Sequence, residues 1–266
     1  MMTNELIKME VHHHSHTPRQ KRGHYFWEFF MLFLAVTMGF FVENIREHYV
    51  ERHRVKQYAR SLVHDLAADT NMIRYHINRM KLFIRMTDSL SSYLKGRKLE
   101  DINNFEMFAL SSIDRYPPYI WSRATIEQIQ NSGSLRYFPL DIVRQIAAYS
   151  ALSHHLDDDF ANDEQMGNEA ASRRNELIDM DYAADLWMGL RNNIDSVRRT
   201  ADYQALKSTD QTSLLTNNLN NIKIFLNDRL NMRKHMIIRS DEELTELLDR
   251  ANQLIAALCK EYKINY

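Results

Sequence analysis

The segment Tyr25–Val42, YFWEFFMLFLAVTMGFFV, limits this chain more than any other stretch, because water does not easily accommodate it. From Phe29 to Val42 there is no charge, and Thr37 is the only polar side chain. Eighteen helical residues rise about 27 Å, close to the hydrocarbon thickness of a bilayer. Tyr25, Phe26 and Trp27 cluster at one end, where aromatic rings favour the headgroup level. Arg19, Lys21 and Arg22 precede them, and Glu28, the one discordant residue, falls within the first turn or so. This pattern predicts a single membrane anchor with Arg19, Lys21, Arg22, Tyr25 and Trp27 at the interface. A soluble core helix would suit the uninterrupted run on length alone. It would not explain the aromatic collar, the flanking cations or the abrupt change to charged sequence at Glu43. A cleaved signal peptide needs a small-x-small site, and Thr37 with Gly39 makes a poor one, so the segment reads as a signal anchor.

Turn chemistry sets the fold class of the remainder. The chain has six Gly and four Pro among 266 residues, far below ordinary usage. A sheet protein of this size would need many more turn residues, so the expected fold is all-α. The net charge of −1 creates no global field for nucleic acid, and no nucleic-acid partner is expected. Cys259 is the single cysteine, which excludes an intrachain disulfide and a cysteine-based zinc site. Its setting, LIAALCKEY, is that of a packed helix residue.

Three regions follow: a tail over 1–24, the anchor over 25–42 and a helical domain over 43–266. The tail holds His12, His13, His14 and His16. Neutral imidazoles bind transition metals, but a tail lying near lipid headgroups is the favoured reading. From Glu43 to Leu94 there is no Pro or Gly, and Val55, Ala59, Leu62, Leu66, Ile73, Ile77, Met80 and Ile84 mark an apolar stripe. The anchor is thus expected to continue as a long amphipathic helix ended by Gly96. A helix over 100–113 follows, with Ile102, Phe105, Phe108, Ala109 and Ile113 inward. Tyr116-Pro117-Pro118-Tyr119 forms a rigid connector. Ser122 is the expected N-cap of a third helix ending at Gly133. Pro139 opens a long fourth helix reaching about Met180. Residues 181–208 read as short helices and loops. The region 212–262 is one long helix, or two joined near Arg239 with Ser240 capping the second. Such stripes bury one another as an antiparallel bundle.

Two stretches carry a resemblance. HYFWEFFMLFLAVTMGFFVENIREHYVE, after a His-rich tail, looks like uncharacterised single-span membrane proteins of Bacteroidota. SRATIEQIQNSGSLRYFPLDIVRQIAAYS resembles a pattern recurrent in such families, a helix, then NSG and an apolar return into another helix. The resemblance implies a bacterial inner membrane and a helical extracytoplasmic part, and it supplies no catalytic residue. Cations do not decide orientation, since Arg19, Lys21 and Arg22 on one side face Arg46, Arg52, Arg54 and Lys56 on the other. A short tail whose stretch next to the span, 11–24, is basic and free of acids, placed before an exported domain, puts the N-terminus in the cytoplasm and the bundle in the periplasm.

Chemistry-bearing residues are sparse. His154, His155 and Asp158 are weak metal candidates, because consecutive positions point around a helix and other helices would have to supply ligands. A solvated acidic face is the favoured reading there, and neither a metal nor a cofactor is expected. His48 and Glu51 lie three apart, yet a di-iron bundle needs paired Glu-x-x-His motifs and further glutamates. No phosphate loop, nucleophile elbow or zinc-protease signature occurs. Tyr116, Tyr119, Trp121 and Arg123 either offer an exposed partner surface or cap the core. The expected function is a non-enzymatic scaffold or accessory subunit in the envelope. Its partners would be the bilayer and either itself or another envelope protein, with no small-molecule substrate and no deep pocket. A ligand-sensing bundle is the alternative, and one span with a short tail would oblige it to signal through a partner.

Overall fold

The computed structural model describes residues 22–179, 196–209 and 213–265. Every regular element among them is helical, as the scarcity of Gly and Pro requires. The α-helices are α1 (Arg22–Leu94), α2 (Asn104–Ser111), α3 (Ala124–Asn131), α4 (Leu140–Leu177), α5 (Ala201–Thr209), α6 (Leu219–Ile237) and α7 (Leu244–Tyr262). A π-helical stretch, Ile238–Glu243, joins α6 to α7 without a break. The chain divides into two compact units, Met1–His53 and Arg54–Tyr266.

In the first unit the described residues are the start of α1, and their large apolar side chains face outward. Phe29, Leu32 and Phe40 are 67, 67 and 74% exposed. An 18-residue window of this helix has a mean hydropathy of 1.8, and none of it is buried. It is long and apolar enough to cross a membrane. The hydroxyl of Thr37 donates to the carbonyl of Phe33 at 2.8 Å, so the lone polar side chain of the run is satisfied by its own helix. Tyr25 and Trp27 are exposed, and Glu28 lies 3.2 Å from His24. Arg19, Lys21 and the histidine tract lie outside the described residues.

The second unit is a bundle whose long helices share one spacing rule. On α1, Val55, Ala59, Leu62, Leu66, Asp69, Ile73, His76, Met80, Phe83, Thr87 and Leu90 are all buried, in alternating steps of four and three. On α4 the same alternation runs from Ile142 through Ile146, Tyr149, Ser153, Leu156, Phe160, Asp163, Gly167, Ala170 and Arg174 to Leu177. Positions repeating this way stay on one face of a helix, so each helix has a single continuous seam. Side-chain pairs give the directions. Arg173 meets Asp228, Asp163 meets His235, and Asp159 meets Arg239, so α4 runs against the C-terminal helices. Arg233 meets Asp88 and Lys81 meets Asp241, so α1 also runs against them. Successive long helices α1 and α4 are therefore parallel, and the chain between them must travel back along the bundle. That return leg consists of α2, an extended stretch from Ile113 to Arg123, and α3.

Two expected helix caps are not observed. Ser122 is not the N-cap of α3, which begins two residues later after Arg123, and its backbone N–H donates to Asp69 Oδ1 at 2.9 Å. Nor does Ser240 start a helix. It is buried within the π-helical stretch, its hydroxyl bonded to the Ile237 carbonyl. The seam there reads Met232, Met236, Ser240, Leu244, Leu247. Consecutive steps of four insert one extra residue, and a π turn absorbs that insertion. Glycine ends both helices named for it, Gly96 and Gly133 having φ of 74° and 67°, the left-handed region that favours a residue without a Cβ.

Candidate functional site

Among the described residues, the extended return leg is the one long non-helical segment in the core of the second unit, and its backbone has no helix to satisfy it. Buried backbone N–H and C=O groups need partners, and side chains from three helices supply them. Arg229 on α6 is 1% exposed. It donates to the carbonyl of Ile113 at 2.5 Å and to the Thr87 hydroxyl at 3.2 Å. Its guanidinium also lies 4.3 Å above the Phe83 ring. Burial pulls its pKa down to about 9, which still leaves it charged at neutral pH. Arg174 on α4 donates to the Ser111 carbonyl at 3.1 Å and pairs with Asp114 at 3.2 Å. Burial pulls its pKa down as well, against the attraction of Asp114. Asp69 on α1 takes the Ser122 N–H with one oxygen and the Tyr149 hydroxyl, at 2.6 Å, with the other.

Asp163 is the centre of the arrangement and is wholly buried. Its Oδ2 accepts from the Tyr116 hydroxyl at 2.9 Å and from Arg239 Nε at 3.1 Å, and its Oδ1 lies 3.2 Å from His235 Nδ1. Arg239 also meets Asp159 at 3.0 Å and Glu243 at 2.7 Å. Burial works against its charge, but three carboxylates outweigh burial and hold its pKa above the usual range. Burial, reinforced by neighbouring groups including Asp163, pushes the Tyr116 phenol up, so it stays protonated and donates. Around this network Tyr119 stacks on Trp121 with centroids 5.0 Å apart, and Phe160 meets Tyr116 edge-on at 5.3 Å. His76 completes the cluster, 4.7 Å from the Tyr119 ring and 6.0 Å from that of Tyr116. It is fully buried, and neither ring nitrogen has a hydrogen-bond partner among the described residues.

Of the two readings of Tyr116 and Tyr119, an exposed partner surface or a cap on the core, their exposures of 4 and 8% fit the cap. Two prolines stiffen the connector, and its aromatics point inward because Asp163 and His76 lie beneath them. Trp121 and Arg123 are half-buried and both bond to Asp157, the indole N–H at 2.8 Å. Arg123 also reaches the Ser153 carbonyl at 3.1 Å. The weak metal candidates separate. His154 bonds to the Ser150 carbonyl of its own helix at 2.7 Å, and Asp158 is exposed. His155 instead joins Asp159 and Glu243, their ligating atoms within 4.8 Å of one another. Arg239 already sits on both carboxylates, so this trio has a resident cation of its own.

Gly167 shows how closely the connector is seated. A Cβ there would lie 3.1 Å from Arg115 Cβ, 3.2 Å from the Asp114 carbonyl and 3.2 Å from Met232 Cε. Gly167→Ala is expected to destabilise the bundle by about 1–3 kcal/mol, because backbone and packed side chains must shift. Thermal unfolding of the full chain in mild detergent measures this, and an unchanged midpoint would refute the close approach.

Asp69, His76, Thr87, Arg229 and Arg239 were not apparent as site residues in the sequence. The signal that finds Asp69, His76, Thr87 and Arg229 is the alternation of four and three, which places these polar residues on the seams, whereas Arg239 falls in the π turn where that alternation breaks. No family model, curated protein or solved structure matches this chain.

Proposed function

We propose that the protein is a membrane-anchored, non-enzymatic scaffold or accessory subunit of an envelope complex. The observation that carries this reading is the uncovered apolar run of α1, from Tyr25 to Val42, whose large side chains have no protein cover among the described residues. Contiguous exposed apolar surface of this extent calls for lipid or a partner. The aromatic collar, the basic residues before it and the internally satisfied Thr37 favour lipid. In this reading α1 crosses a bacterial inner membrane with the tail in the cytoplasm and the bundle in the periplasm, as the resemblance to single-span Bacteroidota proteins implies. Its partner is a second copy or another envelope protein. The non-enzymatic part is supported by the second unit's buried polar network, whose charged side chains are committed to the connector and to one another.

The protein is expected to sediment with membranes and to stay there through high salt and carbonate, since salt does not weaken partitioning of an apolar span. Release into the soluble fraction would end the anchor reading. Protease added to spheroplasts should digest the bundle, and its protection would reverse the orientation. A ligand-sensing bundle signalling through a partner is the second reading, favoured by an apolar groove rimmed by Lys95, Arg97 and Lys223.

A further inference from the structure

That groove, about 510 Å³ in volume, lies where the end of α1 meets the start of α6. Its apolar lining is Leu94, Leu219, Ile222 and Leu226, and its charged lining is Lys95, Arg97 and Lys223, cations without a single acid. The volume falls within the range of small-molecule sites, roughly 300–1,000 Å³. The apolar floor follows α6 from Leu219 to Leu226, about 10 Å of helix, which suits one chain of medium length. Lys95 and Lys223 are exposed, and neither has an ion-pair partner among the described residues. Arg97 is otherwise engaged. It donates to the Tyr93 carbonyl at 2.7 Å and the Asp101 carbonyl at 3.2 Å, and lies 4.4 Å above the Tyr93 ring.

We propose that this groove binds a single-chain anionic amphiphile, an acyl carboxylate of medium length. The tail lies on Leu219, Ile222 and Leu226, and the carboxylate is drawn by Lys95 and Lys223. Charge complementarity selects the sign of the head, because a cationic or neutral head gains nothing from three positive charges. Arg97 gives its Nε–H and one Nη1–H to two backbone carbonyls and adds a third positive charge at the rim. The site belongs wholly to the second unit, so the inference holds whether the bundle is a scaffold or a sensor, and it does not depend on the membrane reading.

The test uses the full chain in nanodiscs of zwitterionic lipid, photolabelled with a diazirine-bearing decanoate and mapped by peptide mass spectrometry. Label is expected on peptides covering 91–97 and 219–226. Octanoate should compete it away, while octanol and octyltrimethylammonium should not. The double variant Lys95→Glu, Lys223→Glu is expected to lose labelling roughly tenfold, since both attractions become repulsions. Both positions are exposed, so its thermal unfolding should match the parent, and Lys95→Arg, Lys223→Arg should retain labelling. Label confined to 25–42 would mean partition into lipid only and would overturn the proposal. So would competition by octanol equal to that of octanoate, or a groove blocked by a co-purifying protein instead of the amphiphile.

Discussion

Arg229→Ala is expected to cost about 3–5 kcal/mol, a large fraction of the stability of an ordinary domain. Three losses add up at one position. The Ile113 carbonyl loses its charged donor, the Thr87 hydroxyl loses a partner, and the Phe83 face opens onto a void. A buried acceptor left unmet costs on the order of 1–3 kcal/mol by itself, and removal of the side chain adds a cavity. Arg229→Met separates these parts, because it fills most of the volume and restores no donor. It should recover part of the loss and leave a deficit of about 2 kcal/mol. The readout is thermal unfolding of the full chain in mild detergent, where the alanine variant should melt about 10 °C lower. A shift under about 1 kcal/mol would show that the connector carbonyl has another source of satisfaction, and the role assigned to Arg229 would fall.

The second large effect is a dependence on acid that a single histidine controls. Burial lowers the His76 pKa from 6.5 to about 4, and the ring has no hydrogen-bond partner among the described residues to offset this. In the folded state it is neutral at every pH above about 4, while in the unfolded chain it takes up a proton from about 6.5 downward. Between these values the unfolded state binds more protons, so stability falls as pH falls through that window and rises as pH rises. Two and a half pH units at about 1.4 kcal/mol each give about 3 kcal/mol for this group. Other groups titrate there too, so the measurement is the difference between parent and His76→Phe in unfolding free energy at pH 7 and at pH 4. The parent should lose about 3 kcal/mol more than the variant. Parallel pH profiles would remove His76 as the origin of acid sensitivity.

Much of the fold is legible in side-chain spacing. The end of α1 at Leu94, the start of α4 after Pro139 and the break at Gly133 follow from glycine and proline chemistry. The apolar run at Tyr25–Val42 needs no tertiary information. The core is less legible where polarity and burial part company. Ile77 and Ile84 suggest themselves as core by hydropathy, yet the seam runs through His76 and Phe83 beside them. Arg229 and Arg239 look like surface cations on a helix until an extended segment is placed opposite them. What requires Arg229 is the carbonyl of Ile113, and what requires Arg239 is the buried carboxylate of Asp163; no local pattern shows that the stretch Ile113–Arg123 is threaded inside. The π turn at Ile238–Glu243 was hidden for a related reason. Its sequence resembles a cap, and only the burial of Met236, Ser240 and Leu244 together reveals the inserted residue.

The wiring of the connector also dictates when the domain can close during its synthesis. Ile113 waits for Arg229, 116 positions later in the chain, and Asp163 waits for Arg239, 76 positions later. Until α6 and the π turn emerge, the return leg has no donor for its carbonyl, and a buried aspartate has no guanidinium to neutralise it. A nascent chain ending before α6 thus carries seams that cannot be sealed and a connector with no seat. Closure is a late event, gated by the last helices. Messages truncated before α6 should yield chains that proteases clear rather than shorter working versions.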